Sequence, residues 1–272
     1  MPPKMTDTEL GLFTRYVADI SGIALDESKR YLLESRLDDL MREQRCATFA
    51  ELYGRARAGA DKVLENRIVD AVSTHETSFF RDAKMYDLIK HKLVPDLLGE
   101  DVKKPLKIWS AACSTGQEAY SLTMILQEIL FDLSRSGASI LGTDISEGSV
   151  NAANRGEFTP LELGRGLDPR LQAKHFRRVG AAYRVADELR AVCRFQVDNL
   201  LAPKTTGPFD IILCRNVLIY FAAADKATVI KNLLARLKRT GFLLVGATES
   251  LLGITDRVKR LEYHGAAYYA LV

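Results

Sequence analysis

The sequence predicts an α/β protein: a Rossmann-like domain on a mostly parallel sheet, carrying a small inserted β-subdomain and preceded by an all-helical domain. Three observations carry that prediction. From Leu106 onward, apolar strand-like runs alternate with helix-period stretches, the pattern of parallel strands joined by crossover helices. From residue 7 to about 85, apolar residues recur at helical spacing and strand signals are absent. Between the second crossover helix and the third strand lies an extra piece, Leu171 to Glu188, with two short strand-like runs about Gly180.

The helical part reads as four or five short helices. Its apolar positions are Leu10, Phe13, Tyr16, Val17 and Ile20, then Tyr31, Leu33, Leu37 and Leu40, then Phe49, Leu52 and Tyr53, and last Val63, Ile68 and Val72. Asp26 and Glu27 follow a Gly22-Ile23-Ala24 turn and mark a helix start. The expected organisation is a helical domain over 1–85, a connecting segment over 86–104 punctuated by Pro95 and Gly99, and an α/β domain over 105–272. Strands are expected near 106–110, 138–144, 193–198, 209–214, 241–247 and 266–272. Helices are expected near 117–134, 147–155 and 223–238, and the inserted hairpin occupies about 171–190, its turn supplied by Gly180.

Composition sets looser bounds. The 272 residues suffice for one large or two modest domains, and a formal charge of +3 is too mild to signal nucleic-acid binding. The four cysteines (Cys46, Cys113, Cys193, Cys214) and four histidines are scattered without metal-ligand or disulfide spacing, so no metal is expected. The N-terminus lacks an apolar signal region and no run approaches 18 apolar residues, so a cytoplasmic protein without membrane insertion is expected.

The most informative stretch is Ile108-Trp-Ser-Ala-Ala-Cys-Ser-Thr-Gly-Gln-Glu-Ala-Tyr-Ser121. A strand enters a turn of small residues and a helix leaves it, so a ligand can lie against bare amides at a helix N-terminus. About 30 residues on, a second strand, Ser139 to Asp144, ends in a lone acid, the arrangement of a nucleotide-ribose site. The turn is neither G-x-G-x-x-G nor G-x-x-x-x-G-K-[ST]. An adenosine ligand without a polyphosphate therefore fits best, and S-adenosylmethionine is the common one. A ligand-free strand-to-helix turn, with Asp144 or Ser146 as a plain N-cap, is the competing account. Further polar clusters stand at strand ends: Asp198-Asn199-Leu200-Leu201, Cys214 to Phe221 with its Arg215-Asn216 pair in an apolar run, and Gly246-Ala247-Thr248-Glu249.

Taken together these segments resemble the chemotaxis receptor glutamate methyltransferases of the CheR type. The likeness is carried by W-S-A-A-C-S-T-G-Q-E-A-Y-S (109–121), T-S-F-F-R-D (77–82), G-T-D-I-S (142–146), N-L-L (199–201), C-R-N-V-L-I-Y-F (214–221) and S-G-I-A-L-D-E-S-K-R-Y-L-L-E-S-R-L (21–37), in order over nearly the whole chain. Ala247 departs from the family, which often has His there. The resemblance implies Asp144 on the ribose hydroxyls, Glu118 at the amino-acid end of S-adenosylmethionine, Asn199 and Leu200 about the adenine, and Asn216 and Val217 beside the methionine part. It implies that Thr77 and Arg81 face the cofactor and methyl group, that Arg81 and Tyr220 are catalytic, and that His75 adjoins the cofactor.

The implied reaction transfers a methyl group to a glutamate γ-carboxylate on the cytoplasmic helical bundle of a chemoreceptor, releasing S-adenosylhomocysteine. Substrate recognition falls to the helix after Ser28, with Arg30, Arg36 and Arg42, although these alternate with Glu34, Asp38, Asp39 and Glu43 so that neither sign owns a face. Some relatives first dock a receptor C-terminal pentapeptide on the inserted hairpin. The short Val179-Gly180-Ala181-Ala182 turn predicts that this chain needs no such tether. A monomer is the default expectation. The alternatives are a methyltransferase of the same fold acting on another protein or a small molecule, and a catalytically silent cofactor-sensing module.

Overall fold

The computed structural model describes residues 4–58, 62–101, 104–130 and 132–272. The N-terminal helices are α1 (Asp7–Ser21), α2 (Arg30–Glu43), α3 (Phe49–Arg57) and α4 (Lys62–Val72). Thr6 and Glu9 form a capping box that starts α1, and Gly22 in a left-handed conformation ends it. Their buried faces, including Phe13, Val17, Leu33, Leu37, Met41, Phe49, Leu52 and Ile68, form a core of their own. Two positions expected inside are outside: Tyr31 and Val63 are exposed. Each stands off the stripe that the packed neighbours define, so Leu33 and Leu64 go inward in their place.

Next come α5 (Ala83–Leu88), one π turn (Ile89–Leu93) and α6 (Val94–Leu98). The stretch read as a connecting helix and loop over 86–104 is helix as far as Leu98, and it buries Tyr86, Leu88, Ile89, Leu93, Val94, Leu97 and Leu98 against the sheet. Pro95 does not interrupt it because it stands in the first turn of α6, where no amide is needed.

The α/β part runs β1 (Lys107–Ala111), α7 (Gln117–Ile129), β2 (Ser139–Asp144), α8 (Glu147–Arg155), β3 (Glu157–Phe158), α9 (Pro160–Leu163), α10 (Pro169–His175), β4 (Phe176–Val179), β5 (Ala182–Val185), α11 (Asp187–Arg190), β6 (Cys193–Val197), β7 (Phe209–Cys214), α12 (Ala223–Leu234), β8 (Leu237–Val245), β9 (Val258–Tyr263) and β10 (Ala266–Leu271). Seven strands form one sheet in the order β6-β2-β1-β7-β8-β10-β9. β1, β2, β6, β7 and β8 are parallel, and β10 runs antiparallel to β8. The chain winds outward from β1 to β6, then crosses back to β7 beside β1. The crevice at that reversal, at the carboxyl ends of the strands, is where such sheets bind ligands.

Alternate residues of the central strands feed two cores: Ile108, Ile211 and Leu213 face α7, while Trp109, Ile212 and Cys214 face α12. β8 begins four residues earlier than the strand expected at 241–247, and α12 ends short of the helix expected to 238. Leu237 pairs with Phe209 there, and tertiary pairing overrides the helical pattern. β9 has no counterpart among the expected strands, because its Lys259, Arg260 and Glu262 are those of a solvated edge with no apolar alternation.

The hairpin expected over 171–190 is β4 and β5, joined by Gly180 and Ala181. It belongs to a three-stranded sheet, β3-β5-β4, whose third strand is Glu157–Phe158. A two-residue strand is too short to leave a periodic signal. This sheet packs Phe158 and Phe176 edge-on against Phe79, with centroids 4.9 and 5.6 Å away. Gly166, at φ +95°, lies so close that an added Cβ would be 2.1 Å from the Phe79 carbonyl oxygen, whereas Gly180 (φ +60°) has open space. Gly166→Ala should therefore cost roughly 2–4 kcal/mol and Gly180→Ala only about 1 kcal/mol in urea unfolding. Equal losses would show that the Phe79 contact is not tight.

Candidate active site

A cleft opens at the switch point. Its walls come from both halves of the chain: Ser21, Ile23, Ser73 and Thr74 from the helical part, the 76–81 segment, the turn after β1, and the ends of β2, β6 and β7. Of the expected site residues, Thr77, Arg81, Glu118, Asp144, Asn199, Leu200, Asn216, Val217 and Tyr220 line it.

The turn after β1 is shaped by backbone conformation. Ala112 and Ser114 have φ of 62° and 50°, and Gly116, the N-cap of α7, has φ 97°. A Cβ at Gly116 would meet that of Ala153 at 3.0 Å, so α8 packs directly on this turn. The turn's Ser114 N–H donates to Asp144 Oδ2 (2.8 Å) and Ser146 N–H to Oδ1 (3.0 Å). Each carboxylate oxygen keeps a lone pair for another donor. Burial pushes the Asp144 carboxyl above its ordinary range, and the two amides only partly oppose that shift.

At the end of β7, Asn216 adopts φ +56°. Glu249 enforces this by accepting from the amides of Asn216 (2.8 Å), Gly246 (2.7 Å) and Leu218 (2.9 Å). Among the described residues the buried Asn216 Oδ1 has no hydrogen-bond partner. Asn199 Oδ1 accepts from Leu201 N–H (2.9 Å) and its Nδ2 donates to the Ile20 carbonyl (3.2 Å), joining the β6 end to α1. The Ala24 amide donates to the Tyr220 carbonyl (2.8 Å), a second link between the halves.

Glu118 is shared among partners. Its Oε1 accepts from Ser110 Oγ (2.7 Å) and its Oε2 from Arg215 Nη1 (2.8 Å). Arg215 also donates to the Arg81 carbonyl (2.9 Å) and to Asp82. Arg81 itself is half-buried and donates to the Glu76 carbonyl (3.2 Å), and among the described residues no carboxylate is bound to it. The cysteines near the cleft, Cys113 and Cys214, are buried and their thiols are pushed up by burial, so neither is a ready nucleophile.

Four expected residues do not line the cleft. His75 adjoins it: its carbonyl accepts from Ser114 Oγ (3.0 Å), while its ring hydrogen-bonds Ser149 Oγ (2.8 Å) and the Asp70 carbonyl (3.0 Å), bridging α4 to α8. Arg30 binds Asp7 and the Met5 carbonyl, Arg36 caps α4 through the Val72 and Ser73 carbonyls (2.8 Å each), and Arg42 pairs with Asp38 (3.0 Å) and Asp39. These arginines spread around α2 rather than forming one basic face. Arg215 and Glu249 are organising residues that the sequence marked only as polar groups at strand ends. The contributions of Ser21, Ile23 and Ser73 carried no sequence signal.

The cleft fits an adenosylated amino acid. Asp144 keeps carboxylate lone pairs at the carboxyl end of β2, where sheets of this kind bind ligands. The fold and the cleft define a Rossmann-like S-adenosylmethionine-dependent methyltransferase. More particularly, the chain belongs to the CheR methyltransferase family, whose S-adenosylmethionine-binding domain matches residues 75–266 and whose all-alpha domain matches residues 8–73. It is 36% identical over 273 residues to chemotaxis protein methyltransferase 1 of Vibrio cholerae, covering 98% of each chain. The enzyme of that name from Pseudomonas aeruginosa is 36% identical over 262 residues, covering 94% of this chain and 95% of the relative. The chemotaxis protein methyltransferase of Borreliella burgdorferi is 30% identical over 272 residues, covering 97% and 94%.

Asp144→Ala should weaken S-adenosylhomocysteine binding about tenfold or more by calorimetry, because two charge-assisted hydrogen bonds are lost. The protonated carboxyl is the weaker acceptor, and burial raises its pKa. Affinity should therefore fall on acidification at a pH above the ordinary carboxylate range, and Asp144→Asn should abolish that dependence. A flat pH profile in the unaltered protein would contradict this.

Proposed function

We propose that this enzyme methylates glutamate γ-carboxylates on the helical bundle of chemoreceptors, in the cytoplasm. The observation that carries the reading is the Arg81 guanidinium in the wall of a cleft suited to S-adenosylmethionine, with neither a carboxylate partner nor a general-base dyad beside it among the described residues. Among the described residues no helix is long and apolar enough to cross a membrane, which accords with that setting.

Bound S-adenosylmethionine supplies an electrophilic sulfonium methyl group. The acceptor glutamate is ionised at neutral pH, with an unperturbed pKa of about 4.3, so the protein has no proton to remove. Its task is alignment and exclusion of water. Asp144 and Asn216 hold the donor molecule, Asn199 and Leu200 border its adenine, and Glu118 shapes the amino-acid end through Arg215. Thr77 and Val217 close the cleft about the transferring group. Arg81 orients the acceptor carboxylate through its N–H fork, and Tyr220 hydrogen-bonds the same group. The Glu76 carbonyl holds Arg81 without neutralising it, so its charge is free for the acceptor.

Arg42 is the recognition residue that remains well exposed on α2; Arg30 is tied to Asp7 and the Met5 carbonyl, and Arg36 is committed to capping α4. The two-residue turn between β4 and β5 supports direct recognition of the helices without a C-terminal tether. A receptor-tail pentapeptide should then bind weakly or not at all in calorimetry; micromolar affinity that depends on residues 178–183 would refute tether independence. For the reaction itself, base-labile radioactive methanol released from receptor fragments after incubation with labelled S-adenosylmethionine is the readout. Arg81→Ala should lower turnover about a hundredfold while leaving thermal stability and S-adenosylhomocysteine affinity nearly unchanged. Unaltered turnover would remove Arg81 from the reaction.

A further inference from the structure

The outer end of the cleft opens into a smaller recess lined by Glu76, Thr77, Ser78, Arg81 and Arg165. The first four also wall the main cleft, so the recess and the site of methyl transfer are continuous. Arg165 alone comes from elsewhere. It sits between α9 and α10, in the chain that leads into the small inserted sheet.

That chain is held firmly. Thr159 and Glu162 form a capping box at the start of α9. Leu163 and Leu167, on either side of Arg165, are buried in the same apolar cluster as Phe79 and Phe158. Gly166 rests on the Phe79 carbonyl with no room for a side chain. The backbone carrying Arg165 is thereby clamped to the backbone carrying Arg81. The Arg165 side chain is spent on none of this: it is exposed at the recess, and among the described residues no carboxylate forms an ion pair with it. The arginines of α2 differ, each being engaged by a carboxylate or carbonyl within its own domain. Glu76 supplies the one carboxylate of the recess, so two guanidiniums outnumber it.

We propose that Arg165 is an acceptor-positioning residue: it binds a second carboxylate on the acidic surface of the methyl-accepting protein, next to the glutamate that Arg81 orients. The inference rests on the acceptor reading given above. It assigns the inserted subdomain a part in placing the substrate at the catalytic cleft, separate from its exposed hairpin turn. Two guanidiniums carried on a clamped backbone can fix the register of a helix whose carboxylates project on one face.

The test is steady-state methylation of receptor fragments by the full-length enzyme and its Arg165→Ala, Arg165→Glu and Arg165→Lys variants, with S-adenosylhomocysteine affinity and thermal unfolding measured on each. Arg165→Ala should raise the KM for the receptor fragment about tenfold, with kcat, product affinity and stability nearly unchanged. Arg165→Glu should raise it further, Arg165→Lys should recover part of the loss, and the difference from the unaltered enzyme should shrink at high salt. An unchanged KM in Arg165→Ala, or losses that follow a fall in thermal stability, would overturn the proposal. If the unaltered enzyme esterifies no receptor fragment, the acceptor reading fails and this inference with it. If it is active and Arg165→Ala matches it, only this inference fails.

Discussion

The buried guanidinium of Arg215 is the interaction on which the rest of the site depends. Only 3% of its side chain is exposed, and it meets Glu118 from α7, Asp82, and the carbonyl of Arg81. Burial works against its charge, but Glu118 and Asp82 more than offset that and keep the group fully protonated. Removing one member of such a network leaves a buried charge uncompensated, at a cost of about 3–5 kcal/mol. Arg215 follows β7, Glu118 opens α7 after β1, and Asp82 follows the 76–81 segment. One side chain thus ties together three pieces of the cleft wall.

The same segments carry the backbone strain. Among the described residues seven non-glycine residues have positive φ, and Phe80, Asp82, Ala112, Ser114 and Asn216 are five of them, all in segments that build or adjoin the cleft. Such conformations persist only where the surroundings over-determine them. Here Ser121 Oγ accepts the Phe80 amide at 3.0 Å, Glu249 gathers three amides about Asn216, and Arg215 holds the Arg81 carbonyl. The helical part completes the cleft wall through Ser21, Ile23, Ser73 and Thr74.

Much of this was legible in the residues. The small-residue turn and the carboxylate ending β2 mark the cleft at the switch point, because tight backbone approach demands small residues. The parallel strands announce themselves by apolar runs. What escaped has physical causes. β9 is charged along its length, β3 is two residues long, and Leu237 takes part in a strand only because Phe209 is there to pair with it. Arg215 and Glu249 read as isolated polar groups, since their partners are 97 and 33 residues away. His75 lies within the 74–81 run, yet the direction of its ring is set by Ser149 on α8, which no local pattern reveals.

The central claim is that Arg215 anchors the segment bearing Arg81. Amide hydrogen exchange, compared between the unaltered protein and Arg215→Met, tests it most directly. The account predicts lost protection over Phe80 to Met85, with protection in β1, β2 and β7 retained. Undiminished protection over that segment, or a uniform loss across the whole sheet, would contradict it.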